Sequence, residues 1–220
     1  MKLELTDQEF RYLLDLVYIG NWVLNSTRGD DRIEEYDQVE GKVFSHCVPQ
    51  GMPKLVERYR GAFGRVCVSV DRPGRFDPAG AEEVCDRRPG RQGPLAGLEA
   101  AFLQTGAEAI FLTAVDLPFG DAALARRLEQ LRGTADACCI RRAGGALEPL
   151  FAVYGRGCLG AASACLEEGR RAFRGMLERV DCRTVDEAEL PGFDLERILL
   201  NVNRPEDYAA ARAAAEEAEG

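Results

Sequence analysis

The sequence predicts an α/β protein: a mostly parallel sheet preceded by an N-terminal helical segment. Three observations predict it. From residue 65 onward, short apolar β-rich runs alternate with amphipathic helical patterns, the order that βα units produce. One run, residues 109–115, is apolar throughout and stops at Asp116-Leu117-Pro118, as a central strand covered on both faces does. Residues 1–47 carry helical spacing instead of strand alternation.

The first helix is expected over residues 7–25. Thr6-Asp7-Gln8-Glu9 reads as a capping box, with Leu5 and Phe10 placed as a hydrophobic staple. Phe10, Leu13, Leu14, Val17, Asn21 and Leu24 follow helical spacing, and Leu16, Ile19, Trp22 and Val23 widen the apolar face. So wide a face requires a partner surface. A second helix is expected from Asp30 or Asp31 through Ile33, Tyr36, Val43 and Phe44. Pro49, Gly51 and Pro53 then interrupt the pattern, which divides the chain into a helical segment, 1–50, and a main domain, 51–220.

In the main domain a helix runs through Leu55, Val56 and Tyr59, and residues 65–70 form a strand with Val66, Val68 and Val70 on one face. Residues 95–105 are helical through Leu95, Leu98, Phe102 and Leu103, and 109–115 are the central strand. Residues 121–132 form a helix through Leu124, Leu128 and Leu131. Strands over 137–141 and 149–154 flank Gly144-Gly145, a hairpin signal that makes one strand antiparallel. Helices over 157–168 and 171–180, a short strand over 183–185 and an Ala-rich helix over 205–217 complete the order.

The chain has 220 residues and a net charge of −9, which disfavours nucleic acid and anionic membrane as partners. The first turns hold Glu4, Asp7 and Glu9 rather than a basic run, and no apolar run is long enough to span a bilayer, so a cytoplasmic protein is expected. The eight cysteines include no CxxC pair and His46 is the only histidine, which argues against a zinc centre or redox dithiol. In Ser45-His46-Cys47, adjacent residues on a helix do not face each other, so this is no nucleophile–base pair.

Three motifs carry chemistry. Asp116 stands at the carboxyl end of a strand, the edge where open α/β sheets bind ligands. A carboxylate there suits a hard divalent cation that also touches substrate phosphates, and its alternative role is to cap the next helix. Upstream, Asp86-Arg87-Arg88-Pro89-Gly90-Arg91-Gln92-Gly93-Pro94-Leu95-Ala96-Gly97 is a Gly/Pro loop running into a helix, with Pro94 in its first turn. Such a junction binds anions, and Gly93 and Gly97 admit a base or phosphate close to the backbone. Arg87, Arg88 and Arg91 would offset part of the chain's negative charge beside a triphosphate. Downstream, Leu200-Asn201-Val202-Asn203-Arg204-Pro205 places two amides on one side of an extended segment, or an N-cap before Pro205.

These motifs, in this order, with Glu148-Pro149-Leu150-Phe151 and Gly169-Arg170-Arg171 between them, resemble the MobA-like nucleotidyltransferases over roughly residues 65–212. The family includes molybdenum cofactor guanylyltransferase. The resemblance implies a three-layer α/β/α nucleotide-binding, Rossmann-like fold and transfer of GMP from Mg-GTP to molybdopterin. By position it implies that Asp116 is the magnesium aspartate. Ser69, Asp86, Gly93, Pro94, Leu95 and Gly97 would contact guanine or nucleotide, and Asn201 and Asn203 would lie near the pterin. Molybdoenzymes or other cofactor-biosynthesis proteins are the implied protein partners.

The chain departs from that family in one respect. Its members begin with a strand and a Leu-Ala-Gly-Gly loop that cradles the triphosphate, followed by Arg-Met-Gly and a catalytic lysine; these 220 residues contain no such string. The lysines near its place are Lys42, ahead of Gly51-Met52-Pro53, and Lys54, which falls on the following helix. The missing first strand is expected to leave an open sheet edge beside Val66–Val70, for helix 7–25 to cover. Two alternatives stand beside the guanylyltransferase: an inactive nucleotide- or pterin-binding remnant or gene fusion, and a related cytidylyltransferase.

Overall fold

The structure, a computed structural model, describes residues 3–25, 33, 35, 36, 39, 43, 47–70, 73, 80–88 and 92–201. The chain divides into two compact units, Met1–Met52 and Pro53–Gly220.

In the first unit, helix α1 (Asp7–Asn25) starts at the expected capping box. The Glu9 amide donates to Thr6 Oγ1 (3.3 Å) while Glu9 Oε2 accepts from the Thr6 amide (2.9 Å). At its other end Asn25 is buried; its amide donates to Asn21 Oδ1 (2.7 Å) and Ile33 O (3.1 Å) and accepts from Ile33 N (3.0 Å). Asn21 is buried for this polar pairing and not as part of an apolar stripe. Tyr12, Leu16, Ile19 and Val23 are exposed. The expected second helix falls mostly outside the described residues; residues 35, 36, 39 and 43 are helical.

The second unit opens on the later part of helix α2 (Cys47–Phe63). Strands β1 (Cys67–Val70) and β2 (Glu82–Cys85) pair in parallel as a two-stranded sheet. Helix α3 (Pro94–Thr105) follows, then β3 (Ala109–Thr113), helix α4 (Ala122–Arg132), β4 (Ala137–Arg141) and β5 (Leu147–Gly155). Helices α5 (Cys158–Glu167) and α6 (Phe173–Leu177), strand β6 (Cys182–Asp186), a 3₁₀ turn (Glu187–Glu189) and helix α7 (Leu195–Ile198) complete it. The four-stranded sheet has the order β3-β5-β4-β6. β3, β4 and β6 share one direction; only β5 runs against them, through the expected hairpin at Gly144-Gly145.

The layers are those of an α/β/α sandwich. Ala137, Cys139, Ala152 and Tyr154 face one core, closed by α3, α5 and α6. Cys138, Ile140, Phe151, Val153 and Val185 face the other, closed by α4, α7 and Tyr59 of α2. Cys67, Cys85, Cys138, Cys139, Cys158, Cys165 and Cys182 are free thiols, and burial pushes Cys138 up to about 11 and Cys158 up to about 12, as expected of small buried hydrophobes.

Several sequence expectations are corrected. β3 is not central: it ends the four-stranded sheet and is half-buried along its length, because among the described residues only β5 pairs with it. Likewise, among the described residues β1 pairs with β2 alone, which leaves its other edge open there, as expected beside Val66–Val70. β2 was not expected, since Glu82 and Glu83 obscure its β pattern. Leu103 lies outside the apolar stripe of α3 and is exposed. The helix expected over 171–180 is only the five residues of α6. The helix expected over 205–217 lies outside the described residues.

Candidate functional site

Three loops at the carboxyl ends of strands build the site. The first follows β2. The Asp86 amide continues the ladder by donating to Val70 O (3.0 Å), and Asp86 Oδ1 lies 3.5 Å from Ser69 Oγ. Strand pairing thus brings Ser69 and Asp86 together although they are distant in sequence. Gly97 makes the same corner possible: a Cβ there would lie 2.6 Å from Ser69 Oγ and 4.0 Å from Asp86 Oδ1. The close approach that Gly97 permits is therefore of helix α3 to strand β1.

Gly93 has a different reason. It caps α3 at φ 76°, a left-handed conformation disfavoured for other residues, with open space around its Cβ position. Pro94 occupies the first turn, as predicted. The Leu95 side chain is fully buried in the core, so the nucleotide contact expected at this position is left to its backbone.

The same loop is tied down by a buried ion pair. Glu99 is 4% exposed. It accepts from Arg88 Nε (2.8 Å) and Nη2 (2.7 Å) and from Ser163 Oγ of α5 (2.7 Å). The Arg88 guanidinium holds the Glu99 carboxyl below the usual carboxylate range against the opposing effect of burial. The sequence placed Arg88 with Arg87 and Arg91 as charge offset beside a triphosphate; the structure turns its guanidinium inward onto Glu99. Arg87 is exposed and Arg91 lies outside the described residues.

The second loop follows β3. Ala114 N still donates to Leu150 O (3.0 Å), then the chain turns at Val115-Asp116. Leu117 is buried, and Arg58 Nη1 of α2 donates to Pro118 O (2.8 Å) and Gly120 O (2.9 Å). Asp116 Oδ1 is buried and has no hydrogen-bond partner among the described residues. The helix cap belongs to Asp121, which accepts from Leu124 N (2.9 Å), so the alternative reading of Asp116 as that cap fails.

Glu148, on β5 beyond the Thr113↔Phe151 pair that ends the ladder, lies close enough to Asp116 to feel its charge. Burial pushes the Glu148 carboxyl up; Arg142 opposes this and the charge on Asp116 adds to it. Glu148 stood in the sequence as part of a motif, and only the fold relates it to Asp116.

The third loop follows β6. It carries Phe193, Asp194 and α7, and ends at exposed Asn201. Asn203 and Lys42 lie outside the described residues, and Lys54 falls within α2.

Among the described residues no three potential metal ligands cluster. An orphaned carboxylate oxygen beside a strand end nevertheless fits a cation such as Mg²⁺, which takes one or two protein carboxylates and fills its shell with water and phosphate oxygens.

An α/β/α layer structure, with polar residues gathered at the carboxyl ends of its strands, is the arrangement in which open α/β sheets bind ligands. Residues 52–186 match the MobA-like NTP transferase domain, and the chain belongs to that family. A relative from Pelotomaculum thermopropionicum, named probable molybdenum cofactor guanylyltransferase, is 36% identical over 126 residues, covering 56% of this chain and 60% of the relative. Molybdenum cofactor guanylyltransferase from Cereibacter sphaeroides is 33% identical over 144 residues, covering 64% and 69%. The crystal structure of molybdopterin-guanine dinucleotide biosynthesis protein A from Archaeoglobus fulgidus superposes with a TM-score of 0.55 at 26% identity, covering 62% of this chain and 69% of that one. The chain spans about three fifths of the length of the Pelotomaculum relative. No described helix is long and apolar enough to cross a membrane.

Proposed function

We propose that the chain is a nucleotidyltransferase of the molybdenum cofactor guanylyltransferase type, which binds Mg-GTP at the Asp86 and Asp116 loops and molybdopterin on the Asn201 side. One observation carries the reading: the buried, unpartnered Oδ1 of Asp116 at the end of β3. Asp116 would hold Mg²⁺, with Glu148 as a neighbouring carboxylate. The cation supplies neutralisation of phosphate charge. The chain's own residues position the substrates: Ser69 and Asp86 offer a hydroxyl and a carboxylate to a base, and Gly93-Pro94 presents a helix N-terminus to an anion. The names of the relatives favour GTP over CTP. Cytoplasmic localisation and molybdoenzyme partners belong to the same proposal.

A second reading, binding with little turnover, is favoured by the edges of β1 and β3 that are unpaired among the described residues and by the lack of a Leu-Ala-Gly-Gly string in these 220 residues. Without that loop no row of backbone N–H groups meets the β- and γ-phosphates. The loss would slow transfer by roughly 10²-fold or more. Calorimetric titration of wild type and Asp116→Asn with GTP, with and without Mg²⁺, tests the site. The expected result is Mg²⁺-dependent binding weakened at least tenfold in the variant at unchanged melting temperature. Equal affinity for Mg-GTP would remove Asp116 from the site.

A further inference from the structure

Helix α1 has two unlike faces. On one, Asn21 and Asn25 are buried in their polar pairing. On the opposite face Tyr12, Leu16, Ile19 and Val23 are 55–69% exposed. Their spacing of four, three and four residues keeps them in one row along the helix, with the period of a seam that packs on another helix. Scattered apolar residues are ordinary on a surface, but a contiguous row of four large ones marks an interaction surface. Gly20 flanks the row. Glycine is a poor residue for a helix interior. Apart from its own helix backbone, no described atom lies within 4 Å of where a Cβ of Gly20 would be, so packing among the described residues does not call for a glycine there. A second helix crossing close to α1 would call for one.

We infer that the occupant of this row is a second copy of the chain, the two α1 helices packing antiparallel. Area favours it. The four side chains hold roughly 500 Å² of apolar surface, so two copies bury roughly 1,000 Å² together, the least that a specific interface needs. A two-fold axis obtains that area from one surface used twice. An interface of this size is a weak one, in the micromolar range. The direction follows from the residues. With the axis between Leu16 and Ile19, Tyr12 of one copy meets Val23 of the other, the largest side chain of the row against the smallest, and Leu16 meets Ile19. Parallel helices would set like against like, and the exposed Glu9, one turn before Tyr12, would stand beside its own copy. Antiparallel packing sends the two Glu9 carboxylates to opposite ends and opposes the helix dipoles.

Sedimentation equilibrium of the full chain under reducing conditions, from about 1 to about 200 μM, reads the association. A reversible monomer–dimer equilibrium is expected. Ile19→Glu is expected to weaken it at least tenfold at unchanged melting temperature, because that side chain already stands in water. Gly20→Ala, which favours the helix itself, is expected to weaken it at least threefold. Tyr12→Lys and Val23→Glu are each expected to weaken it as Ile19→Glu does. The chain carrying both is expected to recover the dimer, since antiparallel packing sets the new ammonium against the new carboxylate twice, whereas parallel packing sets like charges together. A monomer throughout the range overturns the inference. So does a dimer undiminished in Ile19→Glu or Gly20→Ala, or a double variant no better than the single ones. A melting temperature that falls in Ile19→Glu with no dimer to lose also overturns it, by showing that the chain itself covers the row.

Discussion

Replacing Arg88 by Met is expected to destabilise the second unit by about 3 kcal/mol at pH 7. The magnitude follows from what the substitution leaves behind. Glu99, 4% exposed, would lose two charge-assisted bonds of 2.8 and 2.7 Å and keep only the Ser163 hydroxyl. Stripping one partner from a buried pair costs about 3–5 kcal/mol. The Arg88 side chain is 26% exposed, which places the cost at the lower end. For a domain of this size that is roughly 6–12 °C in melting temperature.

The pH dependence gives the stricter test. In the wild type Glu99 is held below the usual carboxylate range, so the stabilisation is complete above about pH 4.3 and is lost as pH falls through the depressed value. In Arg88→Met burial acts on Glu99 against only the Ser163 hydroxyl and the weaker pull of the Arg87 charge. Its carboxyl is pushed up, and the variant regains stability as it protonates. The gap between the two proteins must therefore narrow on acidification from pH 7. Urea unfolding of wild type, Arg88→Met and Arg88→Met/Glu99→Met across pH 4–8 measures it, and the double variant is expected to recover most of the loss. A variant within about 0.5 kcal/mol of wild type at pH 7, or a gap that does not change with pH, would refute the assignment of a buried, ionised Glu99.

Gly97→Ala is expected to lower stability by about 1–3 kcal/mol, because its Cβ would press on Ser69 Oγ; Ser69→Gly in the same chain should restore most of it, and chemical denaturation reads both. Gly120→Ala is expected to fail in the same manner, since its Cβ would overlap the Tyr59 hydroxyl, with Tyr59→Phe as the rescuing change and melting temperature as the measure.

What the sequence made legible followed from local rules. The Thr6–Glu9 capping box, Pro94 in the first turn of α3, the Gly144-Gly145 hairpin and the stop after 109–115 each rest on a few adjacent residues, and each is in the structure. What stayed hidden depends on pairing between distant residues. β2 is half acidic and becomes a strand only by lying against β1. Asp86 meets Ser69 through that ladder, and Glu148 comes near Asp116 beyond the end of another. Arg88 looked like one of three loop arginines offsetting charge because neither Glu99 nor Ser163 announces that it will face the loop. Gly97 looked like a ligand-facing glycine because sequence cannot say which backbone comes close.

The split sheet gives these residues their importance. No ladder among the described residues joins β1 to β3, so the base-side loop after β2 and the Asp116 turn after β3 are not held in register by strand pairing. Helix α3 does that work from one side. Its Gly97 seats it on Ser69 of β1, and its Gln104 satisfies both backbone groups of Cys85 in β2, accepting from the amide (3.2 Å) and donating to the carbonyl (2.6 Å). Its Leu95, Leu98 and Phe102 belong to the same core as Ala152 and Tyr154 of β5. At its end, Thr105 O accepts from Arg65, which also pairs with Glu82 of β2. The spacing between Asp86 and Asp116 is therefore set by side-chain packing on one helix. Packing tolerates shifts that a ladder would resist. If the proposed nucleotide site is right, Gly97 and Glu99, both on α3, are the positions from which a substitution is expected to change nucleotide affinity by displacing one loop from the other.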